Sequence, residues 1–559
     1  MIAYKYFFIA VFVVALLIRL PAITYGLPYG LFGDEIVQIA AGFTMLEQHT
    51  LRANFPFYYL PPMMAYLLAP LFALYGVFGL VTGKFHALGE FRRFVLLYRE
   101  YFLIILRLWG VFFGMASLLV FFAVARKFFD RYFSLLAMGL WAFDFLHLQE
   151  SMTGRFWVPV TFFILAGAYA IVRIYESGKA RWYVLAGCAI GFGFGMGYVA
   201  VLLFPWFWLA HFLRKDGFSL FEKIKQKWFL FGNAFSIFLI GIFSYANVYA
   251  FVRQFGYSGA ILLNFFGVLV STQFKPGLSQ GSHVANNFFA IAANFRDLNP
   301  LLFALGIAGF FLFAFSREQV FKKLFLIGMP LVYLAGASFV FPWIDHRYMM
   351  PAYPFFIMAA IYSLWMLWRS VRMFRKTSVC IMCIGLFAFP LGLDFFYVRG
   401  MLATDTAVQA KEWAESVMPE GSRVITNIYF MNNKAGLEFL RDHNSYNWID
   451  SRNKYLLSLP DAQYPHPNYF VYDLNYLRDA SIFRKDLPVD FIVYSYYFKE
   501  VKTETIDSLP YHKELLKTFY PKQEVSDVPN LYGNLSHPYS YLPFVDNLGP
   551  YVEIYKVIQ

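Results

Sequence analysis

Two adjacent carboxylates, Asp34 and Glu35, follow the first apolar run of the chain. Charged groups in or near a membrane are costly and are therefore candidates for function. The apolar residues that follow, from Ile36 to Leu46, recur at helical spacing. Because successive helix residues point about 100° apart, the two carboxylates cannot face one small substrate together. We expect one to react and the other to orient or cap, and the alternative for Asp34 is a helix cap.

Cationic and imidazole side chains near other apolar runs form a second group of candidates. They are His147, Glu150 and Arg155 in "DFLHLQESMTGRFW", and His346 and Arg347 after "FPWID". Arginines collected near carboxylates suit a site that holds a phosphate. For Arg19 and Arg107, which lie near the ends of apolar runs, snorkelling to the membrane interface is the alternative.

Motifs typical of other enzyme classes are absent from the sequence: it has no HExxH, no pair of CxxC motifs, no GxSxG and no Walker loop. All three cysteines, Cys188, Cys380 and Cys383, lie in apolar runs, so we expect no disulfide framework. The glycine-rich "GCAIGFGFGMGY" lies inside an apolar run with no strand before it, which favours close helix packing. We expect no metal site from these patterns.

The composition of the chain indicates that these residues are positioned by the helices of a polytopic membrane protein. The chain has 559 residues, of which 59% are hydrophobic and 15% are charged, whereas a soluble domain averages about 25% charged residues. The net charge of +12 comes mostly from short Lys/Arg clusters between apolar runs. This is the positive-inside pattern and does not indicate nucleic acid.

We predict about eleven transmembrane helices, and all the basic clusters then fall on one face, which is cytoplasmic by the positive-inside rule. The predicted spans are 5–24, 101–125, 132–146, 157–174, 183–198, 199–213, 228–252, 299–316, 324–342, 348–368 and 378–398. The apolar stretch from Pro61 to Val81 is long enough to span. Counting it would put later basic clusters outside, so we predict a helix lying in the outer interface.

Two domains follow from this topology. Residues 1–398 form a transmembrane domain, in which residues 25–100 are the first outer loop, with the acidic motif and interfacial helices, and residues 253–299 are a large outer loop. Residues 399–559 form a C-terminal extracytoplasmic α/β domain, with a helix from about Thr404, a strand near Arg423, and strands in "NYFVYDL" and "VDFIVYSYYF".

The arrangement resembles the GT-C superfamily of membrane glycosyltransferases, in particular the branch of protein O-mannosyltransferases and lipid A aminoarabinose transferases. The segments that carry the resemblance are "GDE" at Gly33 to Glu35, "FYYLPPMMAYLLAP", "HLQESMTGRFWVPVTFFILAGAYA", "WYVLAGCAIGFGFGMGYVAVLLF" and "AKEWAESVMPEGSRVI". The chain departs from the pattern at Leu60-Pro61, at Tyr198 and at Val158-Pro159. Substrate specificity therefore does not transfer.

The resemblance implies an inverting glycosyltransferase that moves a sugar from a polyprenyl-phosphate donor to an acceptor hydroxyl on the extracytoplasmic side. Asp34 is the expected catalytic base, and Glu35, Tyr58 and Tyr59 are expected to position the acceptor. The expected donor-phosphate ligands are Arg155, Arg347, His346 and His147. No cofactor is required, although some relatives use a divalent metal.

The expected partners are the lipid-linked donor, membrane lipids and an acceptor that is a protein, a lipid or a glycan. The expected location is the plasma (inner) membrane, crossed several times, with the active site and the C-terminal domain outside the cytoplasm. Two alternatives stay open. One is a transporter or flippase for polyprenyl-linked lipids, and the other is an oligosaccharide ligase with a diphosphate-linked donor.

Overall fold

The fold is known from a computed structural model. The structure describes residues 2–27, 33–50, 62–98, 100–255, 282–340, 344–369, 373–428, 466–474, 488–497, 506–507, 509–521 and 538–558. The chain divides into two compact units. Unit 1 comprises Met1–Ile23, Asp34–Tyr75 and Leu103–Asp394, and unit 2 comprises Thr24–Gly33, Gly76–Phe102 and Phe395–Gln559.

Among the described residues before 418, all regular structure consists of helices. In chain order they are α1 (Ile2–Leu17), α2 (Gly33–Glu47), α3 (Met63–Val81), α4 (Leu88–Leu97), α5 (Glu100–Ala125), α6 (Arg131–Ala142), α7 (Phe145–Ser151), α8 (Trp157–Ser177), α9 (Ala180–Met196), α10 (Leu203–Phe212), α11 (Leu220–Ile224), α12 (Lys227–Phe255), α13 (Ser282–Leu298), α14 (Pro300–Ala314), α15 (Val320–Val340), α16 (Tyr353–Arg369), α17 (Met373–Leu402) and α18 (Thr406–Val417). Short 3₁₀ turns at Pro21–Thr24, Tyr198–Leu202 and His346–Met349 connect some of them.

Seven helices in the described part of the chain are long and apolar enough to cross a membrane, or eight if the bent pair α13–α14 is one span. The chain is therefore an integral multi-pass membrane protein. The predicted count of eleven is not confirmed, because α6, α9, α10 and α16 have only 10 to 17 residues. Helix α3 also passes the test of length and composition, so its interfacial position stays a prediction.

Close helix packing in unit 1 depends on small residues. Helix α8 packs against α9, α9 packs against α12, and α14 packs along α16. A Cβ added at Gly309 of α14 would come 1.8 Å from the carbonyl oxygen of Ala359 in α16, so only glycine permits this approach.

Gly110 of α5 allows a similar approach that bears directly on the candidate site. A Cβ there would come 2.4 Å from the carbonyl oxygen of Thr153, in the turn between α7 and α8. Helix α5 therefore lies directly against the turn that leads to Arg155.

Unit 2 contains the α/β region that the sequence predicts. Its strands are β1 (Arg423–Thr426), β2 (Phe470–Asp473), β3 (Phe491–Tyr496), β4 (Lys513–Phe519) and β5 (Tyr551–Val557). They form one sheet in the order β2-β1-β3-β5-β4, in which β1 pairs in parallel with β2 and β3, and β5 pairs antiparallel with β3 and β4. Helix α18 packs on this sheet, and hydrophobic clusters cover both of its faces.

The predicted fold class, a polytopic helical protein with a C-terminal α/β region, is confirmed. The predicted helix near Thr404 and strand near Arg423 are α18 and β1, and the two other predicted strands are β2 and β3. All three cysteines are free, as expected. The exact domain boundaries stay predictions, and most of the large outer loop, at 256–281, lies outside the described residues.

Candidate active site

Helix α2 exposes one of its two carboxylates and buries the other. It begins at Gly33, so Asp34 and Glu35 lie in its first turn, where the helix dipole favours negative charge. Half of the Asp34 side chain (54%) is exposed, whereas Glu35 is fully buried. The expected divergence of the two side chains is therefore observed, and Asp34 is the one that a substrate can reach.

Glu35 anchors this helix to two other parts of unit 1. Its carboxylate accepts hydrogen bonds from Nε and Nη2 of Arg107 at 2.9 to 3.2 Å, and both side chains are fully buried. The backbone N–H of Gly154 donates to Oε1 of Glu35 at 2.8 Å, and Nη1 of Arg107 donates to the carbonyl of Ile23 at 2.7 Å. The pair thereby joins α2 to α5, to the α7–α8 turn and to the end of the first apolar run.

These contacts correct two expectations. Glu35 does not face an opening where it could touch an acceptor, because its carboxylate is enclosed by protein groups. Its effect on a substrate must pass through the position of Asp34. Arg107 does not snorkel, because it is fully buried and bound to Glu35.

The exposed carboxylate of Asp34 lies between two guanidinium groups. Nη1 of Arg347 donates to Oδ2 of Asp34 at 3.0 Å, and Nε of Arg155 lies 3.4 Å from the same oxygen. Arg347 comes from the 3₁₀ turn before α16, and Arg155 comes from the turn before α8. Three residues far apart in the sequence, Asp34, Arg155 and Arg347, thus come together in the structure.

Each of the two arginines also has a buried carboxylate partner. Nη1 of Arg155 donates to Oε1 of Glu150 at 3.0 Å, and Nε of Arg347 lies 3.1 Å from Oδ2 of Asp345. The side chains of Glu150 and Asp345 are only 2% and 7% exposed. Burial raises the pKa of Asp345 to about 6, even though the nearby charge of Arg347 lowers it.

His147 belongs to a different, fully buried cluster. Its Nδ1 lies 3.0 Å from Nη2 of Arg19, its Nε2 lies 3.0 Å from Oγ of Ser117, and its ring stacks on Trp141. Arg19 also donates to Oγ of Ser151. The expected contact between His147 and a donor phosphate is therefore not supported, because both ring nitrogens face protein groups and the side chain has no exposed surface.

The remaining expected site residues are placed less favourably or lie outside the described residues. His346 precedes Arg347 in the chain but is only 2% exposed, so a direct contact with a phosphate would require the site to open. Tyr58 and Tyr59 fall in the stretch 51–61, outside the described residues. Within the described residues no group of three or more His, Cys, Asp or Glu side chains is arranged to hold a metal ion.

Two features of the site were missed at the level of sequence. One is the partnership of Arg107 with Glu35, which a charge inside an apolar run could have suggested, because such a charge needs a buried counter-charge. The other is Asp345, which stands two positions before Arg347 in "WIDHR". No rule of sequence spacing predicts the contact between Asp345 and Arg347, because the 3₁₀ turn sets the distance between their side chains.

Comparison with known proteins agrees with the expected superfamily. Residues 103–243, about a quarter of the chain, match the family model of the dolichyl-phosphate-mannose-protein mannosyltransferases. This match confirms the resemblance to GT-C membrane glycosyltransferases over a stretch that includes Arg107 and Arg155. Asp34 and Arg347 lie outside it. No curated protein matches the sequence.

Several solved structures are similar over most of the chain. Apo ArnT from Cupriavidus metallidurans is 11% identical with a TM-score of 0.49, over 92% of this chain and 97% of ArnT. The same enzyme bound to undecaprenyl phosphate is 12% identical with a TM-score of 0.47, over 92% and 96%. The apo oligosaccharyltransferase of Archaeoglobus fulgidus is 13% identical with a TM-score of 0.47, over 89% of this chain and 70% of that enzyme.

Proposed function

We propose that this chain is an inverting glycosyltransferase that transfers a sugar from a polyprenyl-phosphate donor to an acceptor hydroxyl. The observation that carries the proposal is the exposed carboxylate of Asp34, held between the guanidinium groups of Arg155 and Arg347. A carboxylate and two cations are the groups that such a displacement needs. The family match over residues 103–243 supports the same class of donor, a sugar linked to a lipid phosphate.

Arg155 and Arg347 are the proposed ligands of the donor phosphate. Guanidinium groups bind phosphate oxygens in a bidentate manner, and they stabilise the negative charge that develops on a departing phosphate. Both are already ion-paired with Asp34, whose side chain is 54% exposed. Water can therefore solvate the Asp34 carboxylate when a donor phosphate takes its place beside the two arginines.

Asp34 is the proposed general base. Its carboxylate accepts the proton of the acceptor hydroxyl, and the oxygen attacks the anomeric carbon of the sugar. The bond between that carbon and the phosphate oxygen breaks, and the electron pair leaves with the polyprenyl phosphate. General-base assistance of this kind contributes about 10²–10⁴-fold to the rate.

The charge of the cluster favours a monophosphate-linked donor over a diphosphate-linked one. Each of the two guanidinium charges is already paired with a buried carboxylate, Glu150 or Asp345, so the site suits the single negative charge of a phosphodiester better than a higher charge. A diphosphate carries at least one charge more, and the described cluster already holds three carboxylates beside the two arginines: Asp34, Glu150 and Asp345. An oligosaccharide ligase with a diphosphate-linked donor is accordingly the less favoured alternative.

The proposed location is the plasma (inner) membrane, with the site and the C-terminal region outside the cytoplasm. The support is the positive-inside rule, which assigns the Lys/Arg clusters between apolar runs to the cytoplasmic side. Nucleotide-linked sugars stay in the cytosol, so a transferase with an outer site needs a sugar carried by a lipid. The acceptor is proposed to bind near Asp34, and Tyr58 and Tyr59 stay candidates for positioning it.

A donor-class comparison tests the proposal. Purified protein in liposomes is offered the same sugar linked to a polyprenyl monophosphate and to a polyprenyl diphosphate, and release of the sugar is measured. We expect release from the monophosphate only. Release from the diphosphate alone would establish the ligase alternative, and movement of intact lipid across the bilayer without release would establish the transporter alternative.

A further inference from the structure

Five side chains at the candidate site form one continuous series of ion pairs, which we call the carboxylate–guanidinium chain. In order they are Glu150, Arg155, Asp34, Arg347 and Asp345. The successive distances are 3.0, 3.4, 3.0 and 3.1 Å. Charges alternate along the chain, and carboxylates occupy both ends and the centre.

The three carboxylates differ in exposure, which determines which of them a phosphate can replace. The central Asp34 is half exposed, whereas the terminal Glu150 and Asp345 are buried. Separating a buried pair leaves charges that water cannot solvate, whereas a carboxylate that water reaches can leave its partner far more easily. A lipid phosphate would therefore displace Asp34 and leave Glu150 and Asp345 behind the two guanidinium groups.

With Asp34 displaced, two cations and two buried anions surround the phosphate. This environment suits a ligand of one negative charge, which is the charge of a sugar phosphodiester donor. The product carries more charge, because a polyprenyl phosphate is a monoester whose second ionisation has a pKa near 6. It is therefore mostly dianionic at neutral pH. The buried carboxylates oppose this second charge.

We propose that Glu150 and Asp345 make the site discriminate between the monoanionic donor and the dianionic product, and so promote product release. The inference rests on the proposed function. Without these two carboxylates, a pair of arginines would bind the product more tightly than the donor. Neither residue touches the reacting atoms in this account, and both act through the arginines that they contact.

The expected effect follows from Coulomb's law. A guanidinium with a hydrogen bond on each side separates a buried carboxylate from a phosphate by about 7 Å. At an effective dielectric constant of about 40, between that of a protein surface and that of water, one extra charge at this distance changes an equilibrium constant by about seven-fold. Removing one terminal carboxylate should therefore change the selectivity between product and donor by roughly that factor.

The test uses the neutral isosteres Asp345→Asn and Glu150→Gln in the full-length protein. The probes are farnesyl phosphate and its methyl diester, and their Kd values are measured by calorimetry in detergent at about pH 8, where the monoester is dianionic. Each substitution should raise the preference for the monoester over the diester by about five-fold or more. Asp345→Glu should restore the wild-type preference.

Turnover provides a second readout. With a polyprenyl-phosphate-linked sugar, Asp345→Asn should lower kcat and strengthen inhibition by added farnesyl phosphate, while the KM for the donor falls. A matched control is Asp546→Asn, which removes one partner of the exposed Arg399–Asp546 ion pair. This control should leave the preference unchanged.

An unchanged preference in both isosteres would overturn the inference. Equal weakening of both probes would also overturn it, because the carboxylates would then only hold the arginines in place. Failure of the proposed function looks different, since wild-type protein would then release no sugar from any polyprenyl-phosphate donor, whatever its affinity for the two probes.

Discussion

Replacing Glu35 with Gln leaves the guanidinium of Arg107 buried without its counter-charge. In the native protein Arg107 contacts both carboxylate oxygens of Glu35, and neither side chain is exposed. The glutamine keeps an oxygen that can accept from the N–H of Gly154, so the main change is the loss of one charge. The position of Asp34, the adjacent residue in α2, depends on this anchor.

The magnitude follows from the burial of the pair. Removing one partner of a buried ion pair destabilises a protein by about 3–5 kcal/mol, because the other charge stays without compensation. Arg107→Met should destabilise the protein by a similar amount, because it leaves the buried carboxylate of Glu35 without a counter-charge. The double variant Glu35→Gln/Arg107→Met has no unpaired buried charge at this position. Its loss of stability should therefore be smaller than the sum of the two single losses by about 2 kcal/mol or more.

The assay is equilibrium unfolding of the purified protein in detergent for the wild type, the two single variants and the double variant. Asp546→Asn serves as the exposed control, because its pair with Arg399 should contribute at most about 1 kcal/mol. Additive effects of the two single substitutions would refute the account of the buried anchor. Sugar release should fall in both single variants, because α2 no longer fixes Asp34.

Three further predictions concern other parts of the site. Arg347→Ala should weaken binding of a polyprenyl-phosphate donor by about ten-fold or more, since a charge-assisted hydrogen bond is worth about 1.5–3 kcal/mol. Acceptor affinity should change little, and equal loss of both affinities would point to misfolding. Gly110→Ala should destabilise the protein by about 1–3 kcal/mol, because the added methyl group overlaps the carbonyl of Thr153; a neutral effect in unfolding experiments would contradict that contact. The pKa of Asp345 is raised from 3.8 to about 6, so the folded state favours its neutral form and loses stability as pH rises from about 4 to 6. Relative to Asp345→Asn, the wild type should therefore become less stable across that window and then level off, and a difference that does not depend on pH would contradict the raised pKa.

Helical spacing and apolar length predicted much of the framework. The divergence of Asp34 and Glu35 follows from the 100° step of a helix. Which of the two carboxylates is exposed depends on which side of α2 is buried. Predicted helix and strand positions near Thr404 and Arg423 also agree with the structure. The predicted number of spans stays a prediction, because several apolar helices are shorter than a lone span requires.

The meeting of distant residues was predicted only in part. Charged and imidazole side chains outside the basic clusters predict Arg155 and Arg347 as site residues, and both lie beside Asp34. The same reasoning predicts His147, yet it faces Arg19 and Ser117 in a buried cluster. Sequence position gives the turn in which a side chain lies but not the direction in which it points, and tertiary packing decides the direction.

The most direct test of the central claim is release of sugar from a polyprenyl-phosphate donor by reconstituted protein, with wild type and Asp34→Asn compared side by side. A small panel of polyprenyl-phosphate monosaccharides is offered, and slow donor hydrolysis is measured without an added acceptor. We expect turnover of one donor by the wild type and a loss of about 10²-fold or more in the variant. Equal turnover by correctly inserted Asp34→Asn protein would contradict the assignment of Asp34 as the base.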